Sequence, residues 1–497
     1  MTPDFGLLAR RLTAVPLACA TSLACAHTFG TVYNLPVPFA MYAWGASAAL
    51  LVSFVIVAYF ASVPRAATLA LGARAQPAAA RTLLPGALVY ALRAFSLFAL
   101  ALTIVAGLVG TRNPYANINM TLFWVFFVLG CFYLVALIGD LYEVANPWRT
   151  LCDIAERVRP GLFRGRRAYP PRLAYYPALA LYMAFIWIEL FARTQPRSLS
   201  VVVSVYTVVN LIGAFVFGKD AWFRYGEFFA VMFRLAGKIA PIDYTRTRDN
   251  AYYVRFRKPF AGLLEDGVEH ASLLLFVLFM LSSTAYDGIH ETLPWVTVFW
   301  KNIYPVLASL INRPYLFFVD FYYYWQWAML LLSPFVYLAV YLAFVWLAKI
   351  MAGSATPMRT LALGFALSLV PIAFVYNVTH YYTLLASQGA NLVRYVSDPF
   401  GFGWDLFGTA QALQQPIILD AGGVWHTQVG LILFGHIVGV YLAHVEALKF
   451  FPTTRRAVLS QLPMLLLMVL FTTAGLWILS LPIAAGQVVQ PATGGGG

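Results

Sequence analysis

Charged residues and cysteines are both scarce in this chain of 497 residues. Asp, Glu, Lys and Arg together make up 11% of the sequence, and only four cysteines occur. Hydrophobic residues account for 61% and the mean hydropathy is +0.74, which excludes an ordinary soluble domain. Cys19 and Cys25 lie in an N-terminal apolar run, and Cys131 and Cys152 lie in no predicted outer loop. Neither a disulfide framework nor a thiolate metal site is therefore indicated.

Nucleotide-binding signatures are also missing. The sequence contains no phosphate-binding P-loop and no dinucleotide fingerprint, so it gives no support to an ATP-driven pump or a nicotinamide enzyme. The net charge of +13 would suggest nucleic acid in a soluble protein. Here the basic residues cluster between apolar stretches, where they report membrane topology instead. We predict a lipid bilayer, and no nucleic acid, as the partner.

What the sequence has is a series of apolar stretches long enough to cross a membrane. We predict an all-α integral membrane protein: a helical bundle of about ten transmembrane helices over residues 27–486, after an N-terminal signal segment at 1–26 and before a flexible tail at 487–497. The predicted spans are 39–62, 85–109, 118–139, 174–193, 199–218, 267–286, 321–350, 360–386, 427–450 and 458–484.

The distribution of arginine and lysine gives the orientation. The segments 63–84, 149–172 and 219–258 are rich in basic residues and are predicted to be cytoplasmic. Residues 287–320 and 387–426 then form non-helical outer loops. This alternation predicts a multi-pass protein of the bacterial inner membrane with both mature termini in the periplasm.

The N-terminal apolar run has the features of a cleavable signal. Arg10 and Arg11 precede it, and Ala24 and Ala26 occupy the −3 and −1 positions of a cut before His27. A free N-terminal histidine offers an amine and an imidazole, a pair that chelates copper or zinc. The alternative is that the segment stays attached as an uncleaved helix.

Two further histidines are predicted to lie in the outer half of the membrane. Because adjacent spans joined by one outer loop are usually neighbours, His380 and His436 are expected to face one another. With His27 they form a candidate site for a divalent metal, copper or zinc, and Asp398 or Asp405 is a candidate catalytic base or supporting group. Alternatively, His380 and His436 form hydrogen bonds between helices.

Other titratable residues inside the predicted spans favour internal ion pairing over function. A haem interpretation has weaker support, because His436 and His444 lie eight residues apart on one helix and could not ligate the same iron. The other titratable residues lie within the spans or close to their ends and include Arg93, Asp140, Glu143, Glu189, Glu269 and His270.

Four stretches of the chain resemble bacterial multi-span membrane proteins that carry the name fenitrothion hydrolase. They are Ala26–Gly30 with Leu35–Pro38, Asn146–Arg149, Ser397–Thr409, and Gly435–His436 with Ala443–His444. The thirteen-residue stretch is the most specific. Relatives often have Arg and Asp where this chain has Val32 and Asn34, which puts a charge-based role for that turn in doubt.

The resemblance implies hydrolysis of the P–O-aryl bond of an organophosphorothioate with release of a nitrophenol. An uncharged, lipid-soluble triester could reach an outer-half site from the bilayer, and a bound metal would activate water. Two other functions remain open. One is copper handling or transport, and the other is a copper or haem membrane oxidoreductase. An accessory membrane or periplasmic protein is a possible partner in each case.

Overall fold

The computed structural model describes residues 38–61, 82–247, 251–311, 313–412, 419–451 and 453–481. The predicted signal segment, His27 and the predicted tail lie outside the described residues. Helices before the central region are α1 Phe39–Ala61, α2 Gly86–Val109, α3 Ile118–Ile138, α4 Tyr142–Ala145, α5 Pro147–Val158, α6 Tyr176–Phe191, α7 Pro196–Phe217, α8 Lys219–Tyr225, α9 Phe228–Gly237 and α10 Gly262–Glu265. The remaining helices are α11 Ala271–His290, α12 Leu293–Thr297, α13 Tyr304–Leu310, α14 Tyr315–Met351, α15 Met358–Gly389, α16 Leu392–Ser397, α17 Ala421–Phe450 and α18 Thr454–Ser480.

Nine helices in the described part of the chain are long and apolar enough to cross a membrane, which confirms the predicted all-α membrane bundle. They are α1, α2, α3, α7, α11, α14, α15, α17 and α18. The predicted span 174–193 is the 16-residue helix α6, which is apolar but shorter than the others. Within α3, residues Thr121–Gly130 form π-helical turns that pack against α15.

The centre of the bundle is α11. Nearly all of its residues are buried, and it packs against α6, α14, α15 and α18. Tyr175 and Leu273 lie at the starts of α6 and α11, Leu367 lies in the first third of α15, and all three line one cavity. These helices therefore begin at the same end of the bundle and run together toward the other end. We name the end where they begin the basic face, because the arginine-rich segments 149–172 and 219–258 lie there.

The basic face contains a small sheet that the sequence analysis did not predict. Strands β2 Ile242–Arg246 and β3 Tyr252–Phe256 pair antiparallel, and β1 Thr82–Leu83 adds to the other edge of β3. Residues 219–258 thus hold two helices and a hairpin. Every residue of α9 from Phe228 to Leu235 except Arg234 is buried, so this helix packs inside the protein.

The Asn146–Arg149 stretch organises the basic face. The Asn146 side chain caps α5 by accepting from the Arg149 amide, and Pro147 occupies the first turn. Trp148 donates its indole N–H to Thr207 of α7 at 2.9 Å. The Arg149 guanidinium pairs with Glu143 and Asp220. These contacts explain the stretch as a structural unit that joins α4, α5, α7 and α8.

The segment 287–320 was predicted to be a non-helical outer loop, and this prediction is wrong for most of its length. Helix α11 continues to His290, and α12, the π-helical turns Val298–Ile303 and α13 follow. The physical reason is aromatic packing. The ring centroids of Phe299 and Trp325 of α14 are 5.3 Å apart, and those of Trp300 and Tyr315 are also 5.3 Å apart. Aromatic side chains from both sides of the turn hold the segment in helical form.

Candidate functional site: a buried carboxylate–imidazole cluster

The extension of α11 to His290 places Asp287 inside the bundle. The residue is only 5% exposed, and it lies fourteen residues beyond Leu273, or about 21 Å along the helix from the basic face. A buried carboxylate in a membrane bundle requires polar partners, because desolvation costs several kcal/mol. The partners of Asp287 come from α15.

His380 and Tyr381 of α15 converge on one oxygen of Asp287. The distance from His380 Nε2 to Asp287 Oδ2 is 2.7 Å, and the Tyr381 hydroxyl donates to the same oxygen at 2.6 Å. His380 is 2% exposed. The carboxylate therefore fixes the orientation of the imidazole, and the phenol completes the hydrogen bonding of that oxygen.

Two more titratable side chains surround this pair. His290 Nδ1 lies 2.9 Å from the backbone oxygen of Asp287 and 3.9 Å from its Oδ1. Glu189, near the end of α6, is within hydrogen-bonding reach of the Tyr381 hydroxyl. We name Glu189, Asp287, His290, His380 and Tyr381 the carboxylate–imidazole cluster. Helices α6, α11 and α15 bring these five residues together from positions about 100 residues apart in sequence.

The cluster contains groups that exchange protons and no arginine or lysine. An imidazole held by a carboxylate can act as a general base or as a metal ligand, and the phenol can donate or accept a proton. Ionisable residues in membrane bundles commonly mark substrate or ion pathways. The arrangement is thus suited to proton transfer, either to a reacting substrate or along a path.

The helix register separates His380 from His436. Helices α15 and α17 run antiparallel, with Gln428 donating to the Thr379 carbonyl at 2.9 Å and Gly435 packed against Val375. His380 thus lies opposite residue 427, about nine residues, or 13 Å, from the level of His436. The described helices do not bring these two imidazoles around one metal ion.

His436 and the other histidines of α17 have separate surroundings. His436 Nδ1 lies 2.8 Å from the Ile432 carbonyl, and its Nε2 has no hydrogen-bond partner within the described residues. His444 is fully buried, and neither of its ring nitrogens has a hydrogen-bond partner within the described residues. The Phe54 ring of α1 lies edge-on to it, with the ring centroids 6.5 Å apart. His426 is exposed near the start of α17.

Asp398 and Asp405 organise the loop that contains them. Asp398 accepts from the amides of Phe402 and Gly403 at 2.9 and 2.7 Å, and Asp405 accepts from the Ala410 amide at 2.9 Å. This loop packs against the end of α2 and the start of α3, where the Thr111 amide donates to the Phe400 carbonyl at 2.7 Å. The two aspartates predicted to be catalytic lie in this loop, whereas His380 contacts α11.

The described residues contain no group of three His, Cys, Asp or Glu side chains placed to hold a metal ion. His380 and Asp287 supply one imidazole and one carboxylate, and the predicted third ligand, His27, lies outside the described residues. A metal at this position therefore requires a ligand beyond those that the structure describes.

Asp287 and Tyr381 were not among the residues predicted to form a site. The sixth span was predicted to end at residue 286, and this placed Asp287 in a loop. A usable signal was present: Asp287 and His290 are three residues apart, which places them on one face of a continuing helix. Hydropathy alone does not show that Glu189 of α6 and His380 of α15 pack against that face of α11.

Comparison of the chain with protein-family models, with curated proteins and with solved structures finds no match. The resemblance to the fenitrothion hydrolase group therefore stays a prediction.

Proposed function

We propose that this protein is a membrane-embedded hydrolase of neutral organophosphorus triesters such as fenitrothion, with its reactive centre at the carboxylate–imidazole cluster. The observation that carries the proposal is the hydrogen bond between Asp287 and His380 in a buried part of the bundle. It extends to the location in the bacterial inner membrane, with the basic face cytoplasmic and the cluster in the periplasmic half.

The proposed chemistry uses His380 as the base. With Nε2–H donating to Asp287, the imidazole can accept a proton at Nδ1 from a water that attacks phosphorus. The P–O-aryl bond then breaks, a nitrophenol leaves, and the phosphorus product is a dialkyl phosphorothioate. In this proposal the proton taken up by His380 returns to the departing phenolate, with Tyr381 and Glu189 as the candidate relay groups. A lipid-soluble substrate would arrive from the bilayer.

Metal dependence belongs to the same proposal. In the metal-bound form, His380 Nδ1 would be a ligand and would not act as the base. Asp287 would orient the imidazole, and His27 would complete the set for copper or zinc. A bound metal would lower the pKa of a ligated water and so supply hydroxide near neutral pH.

The test is hydrolysis by the purified protein in detergent, without oxygen or reductant. We expect release of nitrophenol, and in water enriched in ¹⁸O we expect one heavy oxygen in the phosphorus product. Prior dialysis against a chelator, with and without restored copper or zinc, measures metal dependence. A requirement for both oxygen and reductant would contradict hydrolysis and favour the oxidoreductase alternative.

A second candidate function is proton-coupled transport. It is favoured by two carboxylates, Glu189 and Asp287, that meet at the Tyr381 hydroxyl within a membrane bundle. In proteoliposomes, transport predicts substrate-dependent proton flux that Glu189→Gln abolishes. Nitrophenol release without any such flux would support the hydrolase instead.

A further inference from the structure

The cavity at the basic face lies outside the cluster and outside the proposed chemistry. Its volume is about 560 Å³. Helices α5, α8 and α9, strand β2, the start of α11 and Leu367 of α15 contribute to its wall. The wall contains five cationic and four acidic side chains together with several apolar ones. The charged members are Arg149, Arg224, Arg234, Lys238, Arg246, Glu143, Asp220, Asp266 and Glu269.

Ion pairing inside the wall is uneven. Three of the cations, Arg149, Lys238 and Arg246, form ion pairs with Glu143, Asp220 or Asp266. No carboxylate lies within ion-pair distance of Arg224 or Arg234 among the described residues. Arg234 instead donates to the backbone oxygen of Arg224 at 2.6 Å, and this bond ties the Arg234 guanidinium to the end of α8. Both arginines line the cavity. The fourth acidic residue, Glu269, is exposed to solvent.

The electrostatics of the cavity rim also favour an anionic ligand. At the rim, partial burial acts to raise the pKa of Asp266, yet Lys238, Arg257 and Arg224 hold that pKa below its ordinary value. The local potential is therefore positive.

Part of the cavity wall is apolar. Phe223, Leu235, Leu273 and Leu367 line the cavity together with the charged groups. Leu273 is close to the first residue of α11, a buried membrane span, so the cavity lies at the level where the bilayer meets water. One wall thus offers guanidinium groups and apolar surface to the same ligand.

We propose that this cavity binds a phosphate-bearing amphiphile whose phosphate contacts Arg224 and Arg234. Guanidinium groups match the geometry of phosphate oxygens, and basic pockets between helices at this depth bind lipid head groups. The shared chemistry is a phosphate ester. Its source is either an anionic phospholipid of the adjacent leaflet or a soluble organic phosphate.

The experiment titrates delipidated full-length protein in detergent with three probes: phosphatidylglycerol, phosphatidylcholine and sn-glycerol 3-phosphate. Native mass spectrometry measures bound probe for the wild type, Arg224→Gln and Arg234→Gln. Loss of one charge-assisted contact predicts about tenfold weaker binding of the anionic probe. The matched control is Arg159→Gln with Arg172→Gln, two exposed arginines of segment 149–172 at the same basic face that do not line the cavity.

The outcomes separate the sources. Preference for phosphatidylglycerol over phosphatidylcholine, lost in either cavity variant and kept in the control, supports a lipid ligand. Binding of sn-glycerol 3-phosphate with the same dependence on the variants supports a soluble organic phosphate. Equal loss in the control pair, or no preference for the anionic probes, overturns the proposal. If Arg234→Gln does not fold, Arg224→Gln decides, because its exposed side chain has no carboxylate partner in the described residues.

Discussion

The two ends of this membrane bundle treat buried charge in different ways. At the basic face, carboxylates pair with strong bases that stay protonated: Asp153 is 3.2 Å from Arg93 and 2.6 Å from Lys219. In the cluster, Asp287 pairs with an imidazole and a phenol, both of which can change protonation state. Fixed ion pairs suit a structural role, whereas the partners of Asp287 suit chemistry. This difference is why we place function at the cluster.

The largest expected effect concerns the carboxylate–imidazole cluster, the proposed reactive centre. His380→Gln removes the proposed base, and we expect hydrolysis to fall by roughly 10² to 10⁴-fold. Tyr381→Phe keeps the ring and removes one hydrogen bond, so a loss of about tenfold is expected. The measurement is the initial rate of nitrophenol release per folded protein. A His380→Gln variant with wild-type rate would remove the residue from the site.

The next largest effect concerns the ion pairs of the basic face. Arg93 joins three elements through Asp153, the Val144 carbonyl and the Tyr252 hydroxyl. We expect Arg93→Met to lower the free energy of unfolding by about 3 kcal/mol, because it leaves polar partners without their cation. Thermal unfolding in detergent measures this loss, and the exposed Arg159→Met is the control. An unchanged melting temperature for Arg93→Met would contradict the structural role.

The pH dependence of stability tests the buried carboxylate of Glu227, in segment 219–258 of the basic face. Burial raises the pKa of Glu227 to about 7, although the amides of Phe229 and Ala230, the Tyr206 hydroxyl and the Asn146 side chain donate to it. Between its ordinary value and pH 7, the folded protein then binds more protons than the unfolded chain. Stability should therefore decrease as the pH rises through this window.

Thermal unfolding from pH 5 to 8 checks this expectation. The melting temperature of the wild type should fall by a few degrees as the pH rises, and Glu227→Gln should show a flatter profile. A wild-type profile that rises over the same window would have the opposite sign and would contradict the raised pKa.

The smallest effect concerns Asp405. Its carboxylate accepts one amide hydrogen bond in an exposed loop, so Asp405→Ala is expected to cost about 1 kcal/mol of stability. Hydrolysis should stay within about twofold of wild type, since the Asp405 carboxylate accepts its hydrogen bond from within its own loop. A loss of activity comparable to that of His380→Gln would return Asp405 to the catalytic role that the sequence suggested.

Hydropathy was sufficient to predict the bundle, because each span satisfies its backbone within one helix and needs only local apolar sequence. It failed where packing between distant segments decides. From hydropathy, Asp287 would lie beyond the end of a span, but in the structure it is buried, with hydrogen bonds to His380 and Tyr381. Likewise, Phe299 and Trp300 were predicted to be loop residues, but packing against α14 holds them in helical turns.

The position of His380 shows both the strength and the limit of sequence reasoning. Its place in the half of the bundle away from the basic face followed from counting residues along the helix. Whether His436 lies next to His380 depends on the register between α15 and α17. That register is set by close contacts at Gly435 and Gly439. Helix spacing alone carries no information about that register.

The most direct test compares two aspartates that the sequence and the structure rank in opposite order. Asp287→Asn and Asp398→Asn make the same chemical change, one at the cluster and one in the loop. The measurement is the initial rate of nitrophenol release, normalised to folded protein. The account predicts at least a hundredfold loss for Asp287→Asn and at most a threefold change for Asp398→Asn, given the usual size of acid–base contributions. Full activity in Asp287→Asn, or a larger loss in Asp398→Asn, would contradict it.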